Sequence, residues 1–429
     1  MTRLAIVFVL CGLACPIIAW GDDYDEAPIR YRDSQPNDRV TKLQRRLEAG
    51  EISLRGDDTL QALGLLLKGM GVPESSQTLV YSKTSLQRHK IAPRTPRAIY
   101  FSDDCYVGYC QGSDVMEIST VDPQLGAVFY TAERGNDGAV EIRRQTDNCL
   151  LCHGSSQTRQ VPGHLVRSVF VDRSGLPLLS FGSHRIDHSS PLSERWGGWY
   201  VTGTHGDQKH LGNLLVQGEK RPEEIDNAAG QNVTCLDKFI DAENYLSPHS
   251  DLVALMVLEH QAEGHNRITR AGFQCRMALH QQEQLNKELK EDPSHEWEST
   301  KSRIRSASED LLKYLLFCEE APLKGKLAGT SSFAADFVQA GPRDSQGRSL
   351  RDFDLERRLF KHPCSYLIYT EAFDALPAQV RDHVWRRLWE VVTEQDKSAA
   401  FAHLSSDDRR AIADIVRATK KDLPEYWRK

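Results

Sequence analysis

Past residue 21 the chain has no apolar run long enough to cross a membrane. The best one, Leu252–Leu258, is seven residues, whereas a helical span needs about 20. It also has no excess of positive charge: 54 Lys and Arg stand against 60 Asp and Glu, a formal net charge of −6. With no basic stripe to offset that balance, a nucleic-acid partner is not expected. Internal repeats and low-complexity tracts are missing, which excludes solenoids and disordered arrays. Methionine is scarce, with five in 429 residues. A Cys-x-x-Cys pair occurs once only, at Cys149 and Cys152. Without a second pair it cannot build a four-cysteine zinc site. Without a surrounding βαβ pattern it does not read as a thioredoxin-like redox pair.

That single pair sits in Asp147–Asn148–Cys149–Leu150–Leu151–Cys152–His153–Gly154. Two cysteines two residues apart, followed at once by His, form the attachment signature of a c-type haem. The spacing has a chemical reason. Each thiol adds to one porphyrin vinyl group, and the next residue, His153, is held under the iron as its axial ligand. Asn148 is a good N-cap, so the motif is expected to open a short helix.

The N-terminus gives the compartment. Arg3 makes a small positive region, Leu4–Trp20 is apolar, and Ala19–Trp20–Gly21 is a small-x-small cleavage site. An acidic run, Gly21–Glu26, follows. The reading is a signal peptide over 1–21 and an exported, periplasmic protein, the compartment in which haem c is attached. Gly12 and Pro16 argue against a lipoprotein at Cys15. Removing 21 residues takes away Arg3 and no acid, so −6 becomes −7. Of the ten cysteines, Cys11 and Cys15 fall in the signal and two in the motif. The remaining six, Cys105, Cys110, Cys235, Cys275, Cys318 and Cys364, allow up to three disulfides in an oxidising compartment, with free buried thiols as the alternative. Cys105 and Cys110 could close a small hairpin.

The expected fold class is α+β: a mixed, mainly antiparallel sheet carrying the haem, then a helical domain. Residues 22–75 read as a polar arm and two helices, Arg39–Leu47 and Asp57–Lys68, the second stopped by Gly69, Gly71 and Pro73. Residues 76–215 read as β-rich. Runs at 77–84, 97–102, 115–121, 127–133 and 139–144 are rich in Val, Ile, Tyr, Phe and Thr, and further strands are expected at 164–172 and 176–182. Residues 216–429 read as helical, over 251–291, 299–318, 376–392 and 405–419, with Ser405 or Ser406 capping the last.

This layout differs from that of an ordinary small cytochrome c, which is helical and takes a Met ligand some tens of residues after the motif. Here the first Met after His153 is Met256, 103 residues on. Strands preceding Cys149–Gly154 resemble instead the β-rich c-haem domains of haem sensors and of hydroxylamine-oxidising cytochromes, over roughly residues 77–182. Tyr100–Gly108, Val121–Tyr130 and Arg195–Gly203 are similar to segments of an uncharacterised family of exported single-haem cytochrome c proteins of planctomycete-type bacteria. The resemblance implies haem and export but carries no reaction.

The sixth iron ligand decides the chemistry. A strong ligand gives an electron-transfer centre, and an open position permits peroxide or nitrogen-oxide reactions. The candidates are His164, His184, His188, His205, His210, His260 and His265. His260 and His265 are five apart and so do not share a helix face. His188, after the strands nearest the haem and before Ser–Ser–Pro, is the one selected. Trp196 and Trp199 are either core packing or aromatics at the porphyrin edge. Arg195 could serve a distal or propionate role, or be exposed. The functional expectation is single-electron transfer with redox partner proteins. The alternatives are a haem peroxidase or nitrogen-oxide oxidoreductase, and a haem-based sensor or binding module.

Overall fold

The computed structural model describes residues 24–218 and 224–428. The expected signal peptide at 1–21 lies outside the described residues. The chain starts with helices α1 (Arg39–Glu48) and α2 (Thr59–Met70). Asp58 caps α2, and Gly71 ends it in a left-handed conformation (φ 64°) that glycine adopts without a Cβ penalty. The preceding segment is no free arm. Tyr24, Ile29 and Tyr31 are buried, and the Tyr31 hydroxyl donates to the Ala127 carbonyl at 2.7 Å. Its aromatic and branched side chains take it down onto the sheet.

Six strands follow: β1 (Thr78–Val80), β2 (Arg97–Ser102), β3 (Cys105–Tyr109), β4 (Val115–Asp122), β5 (Gly126–Arg134) and β6 (Val140–Gln145). After them come the one-turn helix α3 (Leu150–His153), a small ribbon of β7 (Arg167–Val169) and β8 (Ser183–Arg185), and β9 (Trp199–Tyr200). The main sheet has the order β6-β5-β4-β3-β2-β1-β9, and each pairing is antiparallel. A second ribbon joins β10 (Gly203–Thr204) to β11 (Ala328–Gly329). The helical part comprises α4 (Leu252–Leu289), α5 (Glu298–Leu315), α6 (Phe333–Gln339), α7 (Glu371–Asp374), α8 (Ala378–Val392) and α9 (Ser406–Thr419). The class is α+β.

Side chains alternate across a strand, so each sheet face collects every second residue. Ala98, Tyr100, Val107, Met116 and Ile118 pack with Leu63, Leu66 and Leu67 of α2. Phe101 and Tyr106, of the opposite parity, join the core built around α4. α4 has 38 residues and is about 57 Å long at 1.5 Å per residue. It lends Leu252–Leu258 to one apolar cluster and Phe273 to the other.

Several expectations are corrected. β3 was not anticipated, and it places Cys105 and Cys110 five residues apart along one extended segment, roughly 16 Å at 3.3 Å per residue. They cannot close a hairpin, and among the described residues the six cysteines outside the motif are free thiols. The strand expected at 176–182 is instead a single bridge of Pro177 to Val171 followed by a short 3-10 turn, Leu179–Phe181. His164 precedes β7 rather than lying in a strand. Asn148 caps nothing; the turn starts after Cys149.

Asp38 joins the helical layer to the sheet. One oxygen accepts the Thr41 N–H at the start of α1 (2.9 Å), and the other accepts the hydroxyls of Thr120 and Tyr130 (2.6 Å each). Asp38→Ala removes a cap and two hydrogen bonds to a charged group, and we expect it to lower unfolding free energy by about 3 kcal/mol in urea titrations. A loss below about 1 kcal/mol would contradict this role.

Candidate functional site

The Cys149–His153 segment lies between the end of β6 and the β7–β8 ribbon. Cys149 is half-buried and Cys152 exposed, and neither is in a disulfide. Leu151, between them, is 78% exposed. Arg185 of β8 donates to the Gln157 carbonyl at 3.0 Å and ties the ribbon to this segment. The ribbon's connecting stretch exposes Leu176 and Leu179 by 52% and 65%. Two free thiols and the uncovered Leu151 thus lie on one turn.

His153 is held from two directions by one glycine. Its Nδ1 lies 2.9 Å from the Gly163 carbonyl, and its own carbonyl accepts the Gly163 N–H at 2.8 Å. A carbonyl oxygen only accepts, so Nδ1 carries the proton and Nε2 keeps the lone pair. Burial holds His153 below the usual imidazole pKa, with the Gly163 bond pulling the other way. A neutral imidazole with a fixed tautomer and a free Nε2 is the form that binds a metal ion.

Around it runs one cross-strand row of the sheet. Tyr106 faces Ser119, and Ser119 faces Phe129. The Phe129 ring is 5.0 Å from that of His153. His164 lies over this row, with Nε2 2.7 Å from the Ser119 hydroxyl and its ring 4.2 Å from Tyr106. Burial drives His164 well below the normal histidine range, and the neighbouring imidazoles of His265 and His153 act in the same direction. The Tyr106 hydroxyl also meets His265 Nδ1 at 3.0 Å and the Gln261 amide at 2.9 Å.

His188, the sequence-based choice for the sixth ligand, belongs to another cluster. Its Nδ1 is 2.8 Å from His260 Nδ1, and its ring stacks on Tyr314 at 4.2 Å. The ring contacts of His153 lead through Phe129 to His164, not to His188. Arg195 is not exposed. It is ion-paired with Glu259 in the core, and the Trp196 indole donates to the same carboxylate at 3.1 Å. Burial pushes Glu259 up to about 8 against the pull of Arg195. Trp199 donates to the Arg167 carbonyl at 2.7 Å. Both tryptophans are core residues. His205 and His210 are buried with rings 4.7 Å apart, and His184 is exposed. His260 and His265 do point to different neighbours.

Asn266, Gln261, Tyr106 and Phe129 were missed by sequence reasoning. The available signal was Glu259–Asn266 itself: many polar residues directly after seven apolar ones on one helix, where burial on every side demands partners. Among the described residues no group of three or more His, Cys, Asp or Glu is placed to hold a metal ion, and no helix is long and apolar enough to cross a membrane. No family model, no curated protein and no solved structure matches this chain.

Two measurements follow from this geometry. In the haem-free native chain, an alkylating reagent should modify Cys152 fast and Cys149 more slowly, because burial raises Cys149 to about 11. Buried Cys105, Cys275 and Cys364 should react only on unfolding; equal labelling of all five would contradict the placement. The second measurement concerns pH. Burial lowers His188 and His260, and brings His210 and His265 down to about 3. Their folded values lie below the unfolded one, so the unfolded chain binds more protons on acidification. Stability should therefore be fully present above about pH 6.5 and fall below it, by about 2 kcal/mol per such group at pH 5. Glu259, raised to about 8, and Glu320, raised to about 7, act in the opposite sense, against a larger set of lowered histidines that also includes His153, His164, His205, His362 and His403. Urea midpoints at pH 7.5 and 5.0 check the sign, and a flat profile would contradict it.

Proposed function

We propose that this protein is a c-type cytochrome with one covalent haem, working in single-electron transfer with redox partner proteins. The observation that carries the reading is the His153 geometry: Nδ1 committed to the Gly163 carbonyl, Nε2 free, and two unpaired thiols on the same turn. Cys149 and Cys152 would hold the porphyrin through thioether bonds, and His153 would be the axial ligand. The bound haem would supply a reversible one-electron couple at iron.

The chain's own residues favour that use. Gly163 fixes the ring and the backbone of His153 together, which limits movement of the ligand between oxidation states. Cys152 and Leu151 are exposed, so the attachment edge lies at the surface where a partner protein can approach. Burial shifts the His153 imidazole toward its neutral form. The uncovered Leu151 supplies apolar surface within the motif. Export through the N-terminal segment would bring the chain to the compartment of haem attachment.

The test is an optical spectrum of the protein exported from a host with haem c maturation, oxidised and reduced, with and without carbon monoxide. The proposal expects a reduced c-type band and a low-spin spectrum that carbon monoxide leaves unchanged. It also expects Cys149→Ala with Cys152→Ala to abolish covalent haem. A high-spin spectrum that shifts with carbon monoxide would overturn electron transfer in favour of chemistry at an open iron. Haem lost to acid–acetone extraction in the parent would overturn attachment itself.

A further inference from the structure

We infer that Asn266, on the long helix α4, is a positioning residue for His153 and sets how strongly that imidazole would donate to iron. The inference rests on the haem reading above. Its basis is one peptide unit. The Gly163 carbonyl that accepts His153 Nδ1–H and the His164 N–H belong to the same amide. That N–H donates to Asn266 Oδ1 at 2.8 Å. Drawing on the N–H end of an amide increases the negative charge at its oxygen, because the group is delocalised. The Gly163 oxygen therefore pulls harder on the His153 proton. A more strongly held Nδ1 proton makes Nε2 more basic, and a more basic ligand favours the oxidised metal.

The carboxamide is built into place. Its Nδ2 donates to the His164 carbonyl at 2.8 Å, so Asn266 grips the backbone on both sides of that residue. Nδ2 also faces Glu263 Oε2 at 3.5 Å, and Glu263 is ion-paired with Arg159 and Arg267. These partners fix which end of the amide is oxygen. Gly163 leaves room for this approach: a Cβ there would fall 2.2 Å from Asn266 Oδ1 and 3.1 Å from the Thr158 Cβ. Asn266 itself is 1% exposed. The link from helix to ligand is thus Asn266, the 163–164 peptide, then His153.

The experiment is potentiometry of the haem-loaded protein, with the reduced spectrum recorded on the same samples. Asn266→Ala should keep covalent haem and the c-type band, and move the midpoint potential positive. The expected size is about a tenfold shift of the one-electron equilibrium toward the reduced form, about 59 mV. Asn266→Asp retains the acceptor oxygen at the same place and should sit at or below the parent potential. An unmoved or negative potential in Asn266→Ala would overturn the inference, as would a positive shift in Asn266→Asp. If Asn266→Ala does not fold, the aspartate variant decides by the same criterion. A parent without covalent haem would refute the attachment reading instead, and the spectrum separates the two failures.

Discussion

Burial of α4 on every side is the constraint from which most of this structure follows. From Leu252 to Asn266 every residue of the helix is buried. The first seven are apolar and need only packing. The rest include Glu259, His260, Gln261, Glu263, His265 and Asn266, each of which would be strongly destabilising if left without a partner. Each is met from a different direction. Glu259 takes Arg195 and Trp196, and His260 takes His188 and Ser365. Gln261 takes Ser102, Tyr106 and Tyr366, while Glu263 takes Arg159 and Arg267. His265 meets Tyr106, and Asn266 meets the backbone of His164. A single helix thereby fixes the sheet, the segment after the attachment motif and the C-terminal region against one another.

The same constraint gives the helical half a part in the site. On the electron-carrier reading proposed above, a cage for the cofactor would need less helix than is present here. The geometry supplies a use for it. The peptide that holds His153 is itself held by α4, and α4 is braced by α5 through Arg267 and Asp310, with 2.8 Å between them. Rigidity at the ligand is therefore borrowed from packing far from the motif. Tyr106, Ser119 and Phe129 form the floor of the same region as one row of the sheet, so strand register and helix position both bear on the imidazole.

What could be read in advance was local. β2 falls on the expected residues, and the Ser405–Asp408 capping box opens α9 as the Ser and Asp spacing implies. Asp58 and Gly71 bracket α2 for reasons contained within a few residues. The motif itself is also local, since Cys149, Cys152 and His153 share one turn. What could not be read was pairing across long separations. His164 and Asn266 are 102 residues apart, and His188 and His260 are 72 apart. Propensity and period say nothing about such partners. The neighbours of His188 in sequence likewise say little about the cluster with His260 and Tyr314 that it joins. β3 was hidden because its glycine and flanking cysteines resembled a turn, whereas Gly108 sits in the ladder opposite Ile99, with Arg97 packed close above it.

The most direct test of the central claim is a mass measurement on the exported protein, intact and after proteolysis under denaturing acid conditions. The account predicts a gain of one haem per chain that survives denaturation and maps to the peptide spanning Cys149–His153. An intact mass equal to the unmodified polypeptide, or a haem mapped to any other cysteine, would contradict it.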